Sequence, residues 1–327
     1  LTRIDTPAGR SFFLCFHLVF GALETVVPVG ATVFCFFGLG GRLATFEKPG
    51  KTSSGFIVEL LKNWSGQHAP KTIPSMRIAF LTDLHLGTAG QRPINVDVRQ
   101  NFLDALDFLT ELKPDALVIG GDLCYDTGQT ETYRWFREQI DARPYPWYAI
   151  AGNHDSSPMM ARELGLEAHL HGEEIYFSEK FGDTSALFLD TARGVCSESQ
   201  WDWLRARLAD LHGGEVLIFM HHPPVPAGVA YMDANYPFRE SATFLETIQS
   251  LRRVTVVCGH YHVEQVMQRG HLTVFLTPSL FFQMKHDPLE CVFDNFRLGI
   301  REINLLPQGL TTAMHYLDGN QTHEARA

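Results

Sequence analysis

Five times between residues 76 and 262, a short apolar run ends abruptly in carboxylate, imidazole or amide side chains. The runs are MRIAFLT (76–82), DALVIGG (115–121), PWYAIAG (146–152), EVLIFM (215–220) and VTVVCG (254–259). After them come Asp83-Leu84-His85, Asp122, Asn153-His154-Asp155, His221-His222 and His260-Tyr261-His262. Apolar runs of this length, bounded by glycine and polar residues, read as buried strands. Amphipathic stretches near 96–112, 130–141, 198–211 and 239–251 read as helices between them. The alternation predicts an α/β domain with a sheet covered by helices on both faces. Further strands are predicted at ALFLD (186–190), HLTVFLT (271–277) and ECVFD (290–294).

Ligands of open α/β sheets sit beyond the carboxyl ends of the strands, which is where all five clusters fall. Taken singly, an Asp after a strand caps a helix or closes a turn, and a lone His satisfies a local hydrogen bond. Five clusters of hard oxygen and imidazole donors, each after a separate strand, instead predict a shared metal site. Asp83 and His85 stand two apart, so in an extended segment both point to one side. The glycines of Gly120-Gly121-Asp122 permit tight turning and close approach. No thiolate belongs to the set, which argues against a purely structural zinc site.

The formal net charge of -10, without a Lys/Arg run, excludes the broad basic face that a nucleic-acid polymer requires. An anionic small molecule stays compatible, because bound divalent cations dominate the field of their own site. Six dispersed cysteines without a CxxC pair favour a reducing, cytoplasmic compartment. Residues 12–37 are rich in Phe and Val, which leaves membrane attachment or export open, although His17, Glu24 and Pro28 argue against a span. Loops are expected over 48–75, with a boundary near Pro74. The stretch 30–41 reads as strands of an added sheet or a buried hairpin, and residues 1–47 as packing on the main domain, an oligomer contact or a lid. The expected organisation is an N-terminal extension (1–74), a catalytic domain (75–306) and a C-terminal tail (307–327).

In this order, DLH, GD, GNHD, HH and GHYH resemble the calcineurin-like metallophosphoesterase pattern over about Met76 to Leu280. GGDLCYD (120–126), LDTARG (189–194), SQWDWLRARL (199–208) and MHHPPVPAG (220–228) most resemble the bacterial cyclic-nucleotide phosphodiesterase and glycerophosphodiesterase branch. The resemblance implies a layered α/β/β/α sandwich and a small phosphate ester substrate, with a phosphodiester favoured. It further implies two divalent or mixed-valence ions of Mn, Fe, Zn or Co, with a water shared by them as nucleophile. Asp83, His85 and His262 would hold one ion, Asn153, His221 and His260 the other, and Asp122 would bridge. His154 would serve the leaving group with Asp155 orienting its ring, and His222 would line the pocket or support a ligand. UDP-diacylglucosamine hydrolases resemble a variant with Arg where this chain has His154, which argues against that substrate. Gly121-Asp122-Leu123-Cys124-Tyr125 also fits the GDxxY box of purple acid phosphatases, but His85 makes a ligating role for Tyr125 unnecessary. Phosphomonoester or pyrophosphate hydrolysis and a non-catalytic scaffold are the alternatives, and the sequence leaves a homo-oligomer open.

Overall fold

An apolar run without polar alternation can be buried between helices and a second sheet as well as between two helix layers. The chain takes the first route. The computed structural model describes residues 76–211 and 213–321 in full and, before them, only the backbone of five short strands. Two compact units result, Leu1–Ile73 and Pro74–Ala327. In the first, Thr2–Asp5 pairs with Ser11–Leu14, and Leu23–Val29, Thr32–Phe37 and Leu43–Glu47 form an antiparallel sheet. The middle strand of that sheet falls within 30–41. The loop reading of 48–75 and the packing, contact or lid reading of 1–47 lie outside the described residues.

In the second unit the chain runs β1 (Met76–Leu81), α1 (Val98–Leu112), β2 (Ala116–Ile119), α2 (Thr130–Asp141), β3 (Trp147–Ala149) and α3 (Ser157–Leu164). It continues through β4 (Phe177–Phe181), β5 (Thr184–Leu189), α4 (Glu198–Ala209), β6 (Glu215–Met220), α5 (Ala230–Asn235) and α6 (Ser241–Thr247). Last come β7 (Arg253–Cys258), β8 (Gln265–Arg269), β9 (Leu272–Leu276), β10 (Leu298–Leu306) and β11 (Gly309–Leu317). One sheet has the order β11-β10-β1-β2-β3, and β1, β2 and β3 are parallel. The other has the order β4-β5-β6-β7-β9-β8, and β5, β6, β7 and β9 are parallel.

The inner faces of the two sheets meet. Phe80 on β1 stacks on Phe219 on β6 with ring centroids 5.8 Å apart, and Phe219 stacks in turn on Phe188 of β5 at 5.0 Å. Alternate residues of the second sheet serve different layers, as the strand period of two demands. Leu217, Phe219 and Val257 join the inter-sheet core, while Val216, Ile218, Met220, Val254 and Val256 pack with Trp201 and Leu204 of α4 and Phe244 of α6. On the other flank α1 and α2 supply Phe102 and Phe136, stacked at 5.2 Å. The architecture is therefore α/β/β/α. The five ligand-bearing strands are divided between two sheets instead of sharing one with helices on both faces.

Three further differences fall in the C-terminal part of the chain. Residues 309–317, within the stretch read as a tail, form β11 and pair with β10 along its whole length. β10 escaped notice because Arg301 sits in its middle, a charge that argues against a buried strand. It is 2% exposed, and its guanidinium donates to Thr277 Oγ1 (2.8 Å), the Leu276 carbonyl (2.7 Å) and Thr312 Oγ1 (3.1 Å). The stretch 290–294, read as a strand, contributes only an isolated bridge from Phe293 to Met284.

Removing a large buried ring costs its transfer energy and leaves a cavity. Phe219→Ala should therefore lower stability by about 3–5 kcal/mol in urea unfolding, and a loss below about 1 kcal/mol would contradict its place in the inter-sheet core.

Candidate metal centre

The clusters after β1, β2 and β3 and those after β6 and β7 converge on one rim of the sandwich. Main-chain hydrogen bonds splice neighbouring loops together: Asp83 N–H donates to the Gly121 carbonyl (3.0 Å), His85 N–H to that of Asp122 (2.9 Å) and Gly259 N–H to that of His221 (3.1 Å). The segments carrying paired ligands are not extended. Asp83, His85, Asp122, His260 and His262 all have left-handed φ, between +46° and +70°. Such backbone is uncommon for residues with a Cβ and stores strain of about 1–3 kcal/mol per position, held here by the spliced loops. Each turn sends the intervening Leu84 or Tyr261 into the core and its flanking residues toward the rim. Two glycines are steric requirements: a Cβ on Gly152 would overlap the Asp122 carboxylate, and one on Gly259 would overlap Thr82 and Asp83.

Asp83, His85 and His262 bring one donor atom each within 4.8 Å of one another, and Asp122, His221 and His260 do the same. Asp122 lies between the groups. Its Oδ2 is 3.3 Å from His221 Nε2 and 3.8 Å from His85 Nε2, while its Oδ1 accepts from His154 N–H at 2.8 Å. Asp83 Oδ1 stands 3.3 Å from His262 Nε2 and 3.9 Å from His221 Nε2. The Asp83 carboxylate also accepts from His260 N–H (2.9 Å to Oδ2) and the Thr82 hydroxyl (2.8 Å).

Main-chain carbonyls aim three of the imidazoles. Gly120 O lies 2.8 Å from His221 Nδ1, Phe282 O 2.9 Å from His262 Nδ1, and Tyr236 O 3.0 Å from His260 Nε2. This turns the opposite ring nitrogens, Nε2 of His221 and His262 and Nδ1 of His260, toward the donor cluster, as expected when the other ring nitrogen is held.

The donor set fits metal ions on three observations. His221 Nε2 is buried without a hydrogen-bond partner, although it faces two carboxylates. His85 Nε2 and His262 Nε2 stand 3.1 Å apart, as two nitrogens do when each lies about 2.0–2.1 Å from a shared ion. Asp83 and Asp122 are buried, and among the described residues no Lys or Arg pairs with either. Uncompensated buried carboxylates are strongly unfavourable, so the site calls for external cations.

The protonation pattern agrees. Burial alone would raise the Asp83 carboxyl, but His262 and His221 hold it down at about 2. The same opposition, won by His221 and His85, keeps Asp122 well below the usual carboxylate range. Burial depresses the imidazoles of His85 and His260 to about 3, leaving them neutral. Burial also disfavours the His221 cation, yet Asp122 and Asp83 raise that group to about 9, so the negative field concentrates there. The ionised carboxylates and the neutral imidazoles of His85 and His260 are in the form that binds metals, whereas His221 would release its proton to an incoming ion.

The remaining predicted residues take varied places. Asn153 is exposed on the wall of a cavity of about 300 Å³ above the cluster, beside Asp122 and His154. His154 places a ring nitrogen within 4.8 Å of donors on His85 and Asp122, but its Nδ1 faces the Asp126 carbonyl at 3.2 Å and not Asp155. Asp155 is occupied elsewhere. Its carboxylate accepts from the N–H groups of Gly152 (3.0 Å), Leu123 (3.1 Å) and Cys124 (3.2 Å) and from the Tyr133 hydroxyl (3.0 Å). It therefore clamps the loops after β2 and β3 together and does not orient the His154 ring.

His222 is buried behind His260, with ring centroids 4.0 Å apart and Nδ1 3.2 Å from Thr191 Oγ1, and it is not among the cavity-lining residues. Tyr125 lines the cavity and packs edge-on against Phe281, at 5.9 Å between centroids. Sequence reasoning missed Thr82 and Thr191, which adjoin the motifs. It also missed the three aiming carbonyls, which have no side-chain signature. Among the described residues, no helix is long and apolar enough to cross a membrane.

The calcineurin-like phosphoesterase family matches residues 76–264, more than half of the chain. A probable cyclic nucleotide phosphodiesterase of Fibrobacter succinogenes is 34% identical over 67% of this chain and 84% of its own length. The 3′,5′-cyclic adenosine monophosphate phosphodiesterase CpdA of Escherichia coli K12 is 27% identical over 74% of this chain and 90% of its own. The glycerophosphodiester phosphodiesterase GpdQ of Enterobacter lignolyticus is 29% identical over 64% and 80%, respectively. Among solved structures, the inner-membrane-complex anchor GAP50 of Plasmodium is similar at 13% identity, covering 77% of this chain and 90% of that one with a TM-score of 0.49.

Replacing one Asp155 oxygen by an NH₂ group would set a donor against donors. Asp155→Asn should therefore lower stability by about 1–3 kcal/mol and reduce bound metal, read by urea unfolding and elemental analysis. Unchanged stability and metal content with slowed turnover would return Asp155 to the ring-orienting role.

Proposed function

The chain belongs to the calcineurin-like phosphoesterase family, and we propose that its reaction is hydrolysis of a small phosphodiester, either a cyclic nucleotide or a glycerophosphodiester. The phosphodiesterases among its relatives support this choice of substrate class. The observation that carries the mechanism is the pair of donor triads with Asp122 between them. In this reading Asp83, His85 and His262 hold one metal ion, Asn153, His221 and His260 hold the other, and Asp122 bridges. Mn, Fe, Zn and Co all suit such nitrogen and oxygen donors. When bound, two divalent ions acidify water at neutral pH and neutralise charge on the phosphoryl oxygens. A non-catalytic scaffold would have no need of the full donor set.

The protein's own groups do the rest. His154 stands beside Asp122 at the cavity wall with its backbone fixed by the Asp122 carboxylate and its Nδ1 by the Asp126 carbonyl. That leaves Nε2 to hand a proton to the departing alkoxide. His222 backs the ring of His260 instead of meeting substrate, and Asp155 maintains the loop geometry. Residues 76–321 make up the catalytic unit in this reading, and a cytoplasmic location is favoured by the free thiols of Cys124, Cys196, Cys258 and Cys291.

Asp122→Asn retains shape but removes the bridging charge. Bound metal should fall from two ions to one or none, and kcat/KM by more than about 100-fold, with the circular dichroism spectrum unchanged. Two retained ions would break the assignment.

His154→Ala should instead retain both ions. It should slow alkyl phosphodiesters by about 100- to 10,000-fold while sparing p-nitrophenyl esters, whose leaving group departs readily as an anion. Equal losses for every leaving group would make His154 a substrate-positioning residue.

A further inference from the structure

The two imidazoles of Gly259-His260-Tyr261-His262 are aimed by the carbonyls of aromatic residues whose rings line the same cavity. Phe282 holds His262 Nδ1 through its carbonyl (2.9 Å) and lays its ring 4.5 Å, centroid to centroid, from that imidazole. Tyr236 holds His260 Nε2 through its carbonyl (3.0 Å), and its ring approaches His260 edge-on at 6.5 Å. Each ring is backed by another: Phe293 lies 4.4 Å from Phe282, and Tyr231 lies 5.8 Å from Tyr236. All four residues line the cavity of about 300 Å³ above the donor cluster.

The segment that carries Phe293 is tied down on both sides. It is closed by main-chain hydrogen bonds from Lys285 N–H to the Val292 carbonyl (3.0 Å) and from Asp294 N–H to that of Gln283 (2.8 Å). Met284 N–H ties it to the His262 carbonyl at 3.0 Å. Phe293 is nonetheless 41% exposed and Tyr236 48% exposed, so apolar ring surface is left uncovered at the cavity. Among the described residues no Lys or Arg lines the cavity, which leaves their side chains without a cation for a second phosphate or a dianionic ester. Fixed, uncovered rings beside a phosphate-directed cluster suit a flat aromatic group, because every nucleobase offers a face for stacking.

Building on the phosphodiesterase reading, we propose that Phe293 with Phe282 on one side and Tyr236 with Tyr231 on the other form a stacking wall that selects phosphodiesters bearing a nucleobase over those bearing glycerol. The carbonyls that aim the histidines survive any side-chain change, so the wall can be altered while the donor cluster stays intact. Phe293 and Tyr236 are also exposed enough that trimming them opens no core cavity.

The test compares wild type, Phe293→Ala and Tyr236→Ala, each with two metals verified, for kcat/KM on 3′,5′-cyclic AMP and on glycerophosphoethanolamine. Wild type should prefer cyclic AMP. Each variant should lower the cyclic AMP to glycerophosphoethanolamine ratio by about 5- to 100-fold, mainly through KM, since a base stacked on an aromatic ring loses that order of affinity on alanine substitution. Leu289→Ala, an exposed residue outside the cavity lining, should leave the ratio unchanged. Calorimetric titration with adenosine, which carries the base without a phosphate, should show the same weakening in Kd. A wild-type preference for the glycerol ester, equal losses on both substrates, or an unchanged Kd would overturn the wall. Absence of hydrolysis of any diester would sink the phosphodiesterase reading, and the titration would still decide whether the rings stack on a base.

Discussion

Two carboxylates, Asp83 and Asp122, are buried and among the described residues have no Lys or Arg partner, and most of the rim is organised around that fact. Water would have solvated them better than a protein interior does, so the fold compensates with aimed donors. The His260 and His154 amides and the Thr82 hydroxyl satisfy oxygen lone pairs, while five imidazoles bring nitrogens to the same cluster. What stays unmet is charge. The His221 imidazole, held protonated by the two carboxylates, answers part of that charge, and a metal cation is the complement that the whole donor set suits.

Much of this was legible because the chemistry lies in side chains at strand ends. The runs at 76–82, 115–121 and 254–259 announce themselves by being apolar throughout, and the clusters announce themselves by ending those runs. Less legible was which neighbour covers each strand. Phe80 and Phe219 read the same whether they face a helix or another sheet, so periodicity alone could not divide the strands between two sheets. β10 was hidden by Arg301, whose charge is tolerable only because Thr277, Leu276 and Thr312 meet the guanidinium, and those partners are remote in sequence. Asp155 was misread for a related reason. Adjacency to His154 suggested a partnership, whereas the turn carries its carboxylate to backbone amides 31 and 32 residues away.

The left-handed backbone at five of the proposed ligand positions shows why spacing in sequence understates the geometry. Extended chain would also place Asp83 and His85 on one side, but without turning the strand end tightly enough to splice β1 to the β2 loop. Local strain and the neighbouring hydrogen bonds are mutually dependent. The turns hold their shape because the loops are joined, and the loops join because the chain turns there.

The division of the strands between two sheets has a consequence for the order of events in folding. In the proposed assignment each ion takes donors from both sheets: Asp83 and His85 with His262, and Asn153 with His221 and His260. Contacts such as that between His260 N–H and Asp83 span 177 positions of sequence, so they form only after the two halves of the sandwich have met. In that assignment the ions would be rivets fitted last, fastening layers already in place. A fastener absent from the folding transition state leaves the folding rate nearly unchanged and slows unfolding, so metal held in this way would govern how long the assembled sandwich persists more than how fast it forms.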